Sequence, residues 1–272
     1  MKMTRKMILT GTMVITLTIL GCKQQKKNDS DVDAAAQTSM EEEAPKITLE
    51  KLEGSPAYED ASLSLNGPKT IQVADAGEVD FAFEVNNYEL GAQTKSPNAE
   101  KLANSGKGQH IHFIVDNQPY SAHYEPVFKK EVPEGVHHLV AFLSRSYHES
   151  VKNNNSVVVR KLEVGSNPED SIGLDMQAPT LIYSRPKGEY SGTDTENLML
   201  DFFVLNTTLS EDGNKVRATI NGQEFLVTEW APHIIKGLPS GEVTIQLELI
   251  NAEGNPIPGP FNNVTRTVTL KK

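Results

Sequence analysis

Six of the seven histidines in this 272-residue chain lie between residues 110 and 148. The first two, in the stretch "GQHIHFIVDN", are one residue apart at the start of an apolar alternation. Neutral imidazole nitrogens are ligands for Zn, Cu(II) and Ni. The pattern therefore raises the hypothesis of a metal site. Its candidate ligands are His110, His112 and His138, with His148 or His123 as a fourth.

The second half of the chain indicates which way the first two histidines point. In "KVRATI" (215–220) apolar residues alternate with Lys215 and Arg217, so the charged residues are expected to face solvent. When the halves are aligned on the turns "DNQ" and "NGQ", His110 and His112 take the places of these two charged residues, and Ile111 and Phe113 take core positions. We therefore expect both histidines to point outward on one face, roughly 6.5 to 7 Å apart at Cα.

Two alternatives to a metal site remain open. A separate match, of 132–143 with 238–249, puts His138, Val140 and Phe142 on the outer face of a neighbouring strand. Ile114 lies on the outer face of the first strand. In the first alternative this is a polar surface whose histidines bond to water and to neighbouring strands. In the second, its apolar residues form an interface with the second half of the chain or with a partner, and the histidines lie at the rim.

Catalytic motifs are absent from the sequence. It contains no GxSxG, no HExxH, no phosphate-cradling GxxxxGK and no GxGxxG opening a helix. Carboxylates are plentiful, but none are paired in an apolar setting that would suit acid–base chemistry. The sequence therefore predicts a binding protein without catalytic activity.

The N-terminus carries targeting signals. Residues 1–21 combine early Lys and Arg residues with an apolar segment too short for a membrane span, which is typical of a signal peptide. They are followed by Cys22, the only cysteine, in a stretch "ILGC" that resembles a bacterial lipobox. We expect acylation, including a palmitate-type chain, at Cys22, and a flexible tether over 22–46. Lys23, where Gram-negative inner-membrane lipoproteins carry Asp, favours the outer membrane, on its periplasmic or surface-facing side.

Charge and cysteine content exclude further classes. The chain has 26 Lys and Arg against 36 Asp and Glu, a formal net charge of −10. A surface of this sign argues against binding of nucleic acid. A single cysteine also rules out an intrachain disulfide and a site made of several thiolates.

The fold is predicted from alternation and from an internal repeat. Short alternating segments bounded by turn-forming residues recur from residue 47 onward, and none shows a long helical period. "VPEGVHHLVAFL" (132–143) matches "LPSGEVTIQLEL" (238–249), and three further pairs follow the same order. We therefore predict an all-β fold with two tandem immunoglobulin-like or fibronectin-III-like β-sandwich domains, 47–165 and 178–272.

The first domain contains one long insertion. The repeat offset falls from 119 residues at the "FEV" strand to 105 at the "DNQ" turn, so the first half is fourteen residues longer between them. The extra residues lie in "GAQTKSPNAEKLANSGKG" (91–108), directly before His110. Because long loops on small sandwiches are often functional, we expect this loop to border the ligand face.

Several stretches carry a family resemblance. "GQHIHFIVDN", "AHYEP", "AFLSRSYHESVKN", "YSRPKG", "NTTLSEDGNKV" and "IPGPFNNVTRTV" resemble a group of two-domain Bacteroidota lipoproteins, some of which carry the name "phosphopeptide-binding protein". The resemblance spans almost the whole mature chain and implies a lipid-anchored envelope protein. No motif behind that name maps onto this chain. Arg145, His148 and Lys152 are the cationic donors that could bind a phosphate or another anion.

Three functional hypotheses follow. The first is a lipid-anchored, non-catalytic envelope protein that binds a protein, peptide or glycan through the histidine face of its first domain. The second is a lipoprotein that binds Zn or Cu(II) with the histidine cluster. The third is binding of a phosphopeptide or another anionic ligand. All three hypotheses expect the membrane as a partner, through Cys22. None of them expects nucleic acid as a partner.

Overall fold

A computed structural model describes residues 46–272 of the chain. The expected signal peptide, the acylation of Cys22 and the tether lie outside the described residues, apart from Lys46. Among the described residues, no helix has the length and apolar character needed to cross a membrane.

The regular secondary structure of the described residues is almost entirely β-strand, which confirms the predicted fold class. Two short 3₁₀ helices, Pro97–Glu100 and Gly192–Thr195, accompany the strands. The strands are β1 (Thr48–Lys51), β2 (Ser62–Leu65), β3 (Thr70–Val73), β4 (Gly77–Asn86), β5 (His110–Val115), β6 (Ser121–His123), β7 (Val127–Val132), β8 (Gly135–Ser144), β9 (Val157–Val164), β10 (Thr180–Arg185), β11 (Glu189–Ser191), β12 (Leu198–Leu205), β13 (Lys215–Ile220), β14 (Gln223–Val227), β15 (His233–Lys236), β16 (Gly241–Ile250) and β17 (Asn263–Lys271).

The first sandwich packs a three-stranded sheet (β2-β4-β7) against a five-stranded sheet (β3-β9-β8-β5-β6). Alternation along β4, "GEVDFAFEVN", places Phe81 and Phe83 in the core. Ile111 and Phe113 of β5 belong to the same core, and the rings of Phe81 and Phe113 are 4.8 Å apart. The inward register expected for these two β5 residues is therefore confirmed.

The second sandwich repeats this arrangement with a four-stranded sheet (β1-β15-β12-β10) and a five-stranded sheet (β11-β17-β16-β13-β14). In β13, Val216, Ala218 and Ile220 are fully buried in its core. Lys215 and Arg217 alternate with them and are partly exposed. The alternation predicted for β13, from which the facing of the β5 residues was inferred, is thus confirmed.

Strand β1 belongs to the second sandwich, although its place in the sequence predicts that it belongs to the first. The sequence boundary put 47–165 in one domain, whereas β1 pairs antiparallel with β15, with Thr48 opposite Lys236 and Lys51 opposite His233. The chain crosses to the first sandwich only after this strand. A four-residue edge strand has too short a pattern to show which sheet it joins. Sequence order alone therefore groups it with the residues that follow it, and not with the sheet to which it is hydrogen-bonded.

The outer face of β5 and β8, for which a polar surface and an interface were both open, is buried against the second sandwich. Ile114, Val140 and Phe142 form one apolar cluster with Ile182 and Phe203 of the second sandwich. This is the interface that the second alternative describes. We call this contact region the seam. Both strands are buried on both faces, because residues of the second sandwich cover the side that lacks a facing sheet of its own.

A turn of the first sandwich is hydrogen-bonded to the second sandwich across the seam. Asn117 follows β5 in the left-handed conformation, with φ of 53°, which asparagine adopts more readily than most residues. Its Nδ2 donates to the carbonyl oxygens of Leu181 (3.2 Å) and Phe261 (3.3 Å). Its Oδ1 accepts from the backbone N–H of Tyr183 at 2.8 Å. One amide side chain therefore makes three hydrogen bonds to the second sandwich.

Candidate metal centre

Three histidine side chains meet in the seam, His110 and His112 from β5 and His148 from the turn after β8. Nε2 of His110 lies 3.0 Å from Nε2 of His112 and 3.1 Å from Nδ1 of His148. One ring nitrogen from each histidine lies within 4.8 Å of the others. Nitrogens bound to one tetrahedral ion at about 2.0–2.1 Å lie roughly 3.3 Å apart, so small side-chain movements would let all three bind.

The elements that carry these histidines explain why they converge. His110 and His112 are two residues apart on one strand, so both point to the seam side of β5. The turn that carries His148 folds back tightly, with the His148 N–H donating to the carbonyl of Arg145 at 2.9 Å. His148 has φ of 68°, which is uncommon for a residue other than glycine. Such strained residues concentrate at functional sites.

The long loop 91–108 braces the turn that carries His148. Thr94 and Ser146 exchange hydrogen bonds, from the N–H of Thr94 to Oγ of Ser146 (3.2 Å) and from the N–H of Ser146 to Oγ1 of Thr94 (3.0 Å). Leu102 of the loop packs against Tyr147 and against Met199 of the second sandwich. The loop therefore borders the histidine cluster, and it fills space between the sandwiches.

Hydrogen bonding sets the tautomer of His110. Its Nδ1 lies 2.8 Å from the carbonyl oxygen of Gly108, which can only accept, so Nδ1 carries the proton and Nε2 presents a lone pair. Nδ1 of His112 lies 3.2 Å from Oγ of Ser184, which can accept a hydrogen bond from it in the same way. Nδ1 of His148 lies 3.2 Å from the hydroxyl of Tyr120, which can donate to it. The Gly108 and Ser184 partners lie on the nitrogens turned away from the cluster, as the partners of metal-bound imidazoles do, so the Nε2 lone pairs of His110 and His112 face it. The Nδ1 lone pair of His148 also faces the cluster, and an ion bound there would displace the hydrogen bond from Tyr120.

Burial keeps the three imidazoles neutral. His110 and His112 are both 0% exposed. Burial lowers the pKa of His110 to about 4, against a weaker opposing effect of the Gly108 carbonyl. Burial also lowers the pKa of His112 and of His148 far below the usual range, and neighbouring cationic groups add to the effect. Neutral imidazole is the form that binds metal ions.

Aromatic and cationic side chains line the cluster. The ring of Tyr120 stacks on His112, with ring centroids 3.5 Å apart and planes at 12°. Nζ of Lys187 lies 3.6 Å from the Tyr120 ring centroid, and Cζ of Arg185 lies 5.5 Å from it. Burial and the nearby Arg185 lower the pKa of Lys187 to about 8. The surroundings of the cluster are therefore positive.

Two predicted ligands lie elsewhere. His138 stacks on Phe261, with ring centroids 5.6 Å apart, and His123 stacks on Phe128 at 3.4 Å. In the antiparallel register His110 pairs with Ser144, six residues along β8 from His138, which is about 20 Å of strand. The prediction that His138 joins the cluster is thus wrong. His138 lies on the same face of the sheet as His110, but it is far from His110 along the strand direction. His148 takes its place.

The candidate anion ligands do not converge. Arg145 is buried and pairs with Glu149 at 3.0 Å, and Lys152 pairs with the buried carboxylate of Asp201. His148 instead faces the other histidines. Both cationic groups are therefore occupied by internal partners, and the three residues offer no common anion site in this structure.

Several residues of the site were missed by reasoning from the sequence. Tyr120 lies on the hairpin that follows β5, and Gly108 precedes it; their closeness in sequence to the histidines is a weak signal. Ser184, Arg185 and Lys187 come from the second sandwich. No sequence pattern points to these three, because their position depends on how the sandwiches pack.

The chain was compared with known proteins. No family model matches it, and no curated protein matches it. Among solved structures, the chain is similar to the fibronectin(III)-like modules of Clostridium thermocellum CbhA, at 12% identity over 77% of this chain and 94% of that chain (TM-score 0.27). It is also similar to the central fibronectin-III array of RIM-binding protein, at 15% identity over 78% of this chain and 69% of that chain (TM-score 0.24). The two tandem V-type regions of VCBP3, a v-region-containing chitin binding protein, match at 8% identity over 78% of this chain and 100% of that chain (TM-score 0.22). These similarities concern the fold alone.

Proposed function

We propose that this chain is a lipid-anchored envelope protein that binds one divalent transition-metal ion, Zn or Cu(II), through His110, His112 and His148. The observation that carries the proposal is the convergence of three neutral imidazole nitrogens within 4.8 Å of one another. Three nitrogen ligands with a fourth position to fill are a common arrangement for these ions.

The tautomers support the proposal. Two nitrogens, from His112 and His148, approach the single lone pair on Nε2 of His110 at 3.0 and 3.1 Å. Without an ion, that lone pair can accept only one strong hydrogen bond, so one of the two approaches gains little. A metal ion between them would use all three lone pairs at once.

The envelope location is proposed from the sequence. The signal-like segment 1–21 and the single Cys22 in "ILGC" suit acylation and anchoring at a membrane, and Lys23 suits the outer membrane. The absence of catalytic motifs suits a protein that captures or holds its ion without turnover. A macromolecular ligand on the histidine face is not favoured, because the second sandwich covers that face.

The proposal predicts one bound ion per chain. The full-length chain would be purified in detergent without a histidine tag, stripped with a chelator, and titrated with Zn(II) and Cu(II) separately. We expect one equivalent to bind with a dissociation constant of about 1 μM or lower. His148→Gln removes one ligand and should weaken binding at least about tenfold.

His123→Gln is the matched control, because His123 is half-buried on the same sandwich and lies outside the cluster. Equal binding by the wild type and His148→Gln would contradict the proposal. So would stoichiometric binding that disappears in His123→Gln. Thermal unfolding of each variant without metal shows whether the fold is retained.

A further inference from the structure

Arg185 is a buried cation without a carboxylate partner. It is 7% exposed, and among residues 46–272 no Asp or Glu lies at ion-pair distance from its guanidinium. Asp201 lies opposite it in the register of β10 and β12, but that carboxylate bonds to Ser150 and Lys152 instead. A buried charge that no opposite charge offsets is costly, so this position favours an anion.

Two hydrogen-bond donors beside this charge have no acceptor in the described part of the chain. Nε of Arg185 is buried and makes no hydrogen bond there. The hydroxyl oxygen of Tyr190 accepts from Nη1 of Arg185 at 2.6 Å and from the backbone N–H of Lys187 at 3.2 Å. Its own O–H is therefore left to donate, and the described residues give it no acceptor. A ligand that accepts hydrogen bonds would satisfy both donors.

Arg185 and Tyr190 both line one small cavity between the sandwiches. Its other walls include Leu102 of the long loop and Tyr147 of the turn after β8. Half-buried Asn197 also lines it, and an amide side chain can supply a third donor. The cavity has room for roughly one water-sized particle. A monatomic anion is close to this size, whereas phosphate and other oxyanions are too large.

We propose that this cavity binds one halide ion, chloride, through Nε of Arg185 and the hydroxyl of Tyr190. The ion offsets the buried guanidinium charge and accepts the two unpaired hydrogen bonds. Because the cavity walls come from both sandwiches and from the long loop, the ion also stabilises their packing. None of the three proposed metal ligands lines the cavity, so the proposal stands without the metal site.

Chloride binding is tested on the full-length chain in detergent, stripped of metal with a chelator. Thermal unfolding is followed as chloride replaces gluconate at constant ionic strength, so that only the anion changes. We expect the unfolding midpoint to rise by about 3–6 °C once chloride exceeds its dissociation constant roughly tenfold. Arg185→Gln should abolish the rise. Tyr190→Phe should need at least about tenfold more chloride for the same rise.

Arg160→Gln is the matched control. Arg160 is a half-buried strand arginine that, among residues 46–272, also lacks a carboxylate at ion-pair distance. Its guanidinium donates to the carbonyl oxygens of Val159 and Leu65, and it does not line the cavity. Its replacement should leave the full chloride-dependent rise in place.

Bromide, a heavier halide, locates the ion in crystals of the same protein. Anomalous diffraction at the bromine edge should show a peak in the cavity beside Arg185 and Tyr190. No peak there, or no chloride-dependent rise in the wild type, would overturn the proposal. So would a rise that persists in Arg185→Gln or disappears in Arg160→Gln. If Arg185→Gln does not fold, the bromide peak in the wild type and the chloride dependence of Tyr190→Phe decide the question.

Discussion

At the scale of single residues, what a buried histidine can do depends on what its ring nitrogens face. His110, His112 and His148 face one another, and the Gly108 carbonyl sets one tautomer. His138 is 2% exposed, yet neither of its ring nitrogens has a hydrogen-bond partner among the described residues. The first three form a candidate metal site, whereas the last is a buried polar ring that costs stability.

This difference predicts a pH effect on stability. Burial lowers the pKa of His138 from 6.5 to about 4, with a weaker opposing effect of Asp116. A depressed folded-state pKa means that the unfolded chain binds the proton more readily. The contribution is therefore present above pH 6.5 and is lost as the pH falls toward 4. The loss from this one group is about 3 kcal/mol.

His138→Phe should remove that part of the pH dependence and keep the stacking on Phe261. Urea unfolding of metal-free protein would be measured from pH 8 to pH 4. We expect the variant to lose about 3 kcal/mol less than the wild type below pH 6.5. Above pH 7 the difference between the two should be constant. Parallel curves over the whole range would contradict this account.

At the scale of elements, the sequence predicts the strands and the direction of their side chains, but not which part of the molecule packs on their outer faces. The repeat placed Ile111 and Phe113 in the core correctly, because Lys215 and Arg217 mark the solvent face of the matching strand. The same rule put His110 and His112 on the opposite face, which is also correct, but it could not show that the second sandwich covers this face. Alternation shows to which face of the strand a side chain points. Whether that face is buried depends on residues far away in the chain.

The loop before β5 offers a test at this scale. Gly108 has φ of 84°, and a Cβ there would lie 2.3 Å from the carbonyl oxygen of Gly91, so alanine must distort the loop. Since the Gly108 carbonyl holds His110, Gly108→Ala should weaken metal binding by about tenfold. It should also lower the free energy of unfolding by at least about 1–2 kcal/mol.

Gly106→Ala is the control, because no atom lies within 4 Å of its Cβ and its backbone is not left-handed. Metal titration and urea unfolding of both variants check the prediction. Equal effects of the two substitutions would show that the Gly108 turn does not position the site.

At the scale of the whole molecule, the two sandwiches could be predicted from the repeat, whereas the seam between them could not. Ile114, Val140 and Phe142 are apolar residues on an outward face, which indicates an interface without naming its partner. The structure joins them to Ile182 and Phe203 and places residues 46–272 in one compact unit. Three of the side chains that border the histidine cluster, including Ser184, come from across this seam, so the site requires both halves.

Removal of the seam contact made by Asn117 should affect both halves together. Asn117→Ala loses three hydrogen bonds to the second sandwich and leaves buried backbone groups unpaired, so the free energy of unfolding should fall by about 2–4 kcal/mol. Asn221→Ala is the control, because Asn221 has a similar φ of 47° but bonds only within its own sandwich, to Thr244. Urea unfolding compares the two. An equal loss in both would contradict a special role of the seam.

The central claim is that His110, His112 and His148 bind one ion together. Anomalous diffraction at the copper edge, from crystals grown with one equivalent of Cu(II), tests it most directly. We predict a single strong peak in the seam, with Nε2 of His110, Nε2 of His112 and Nδ1 of His148 each about 2 Å from the ion. A peak at His123, His138 or the surface, with no density between these three rings, would contradict the account.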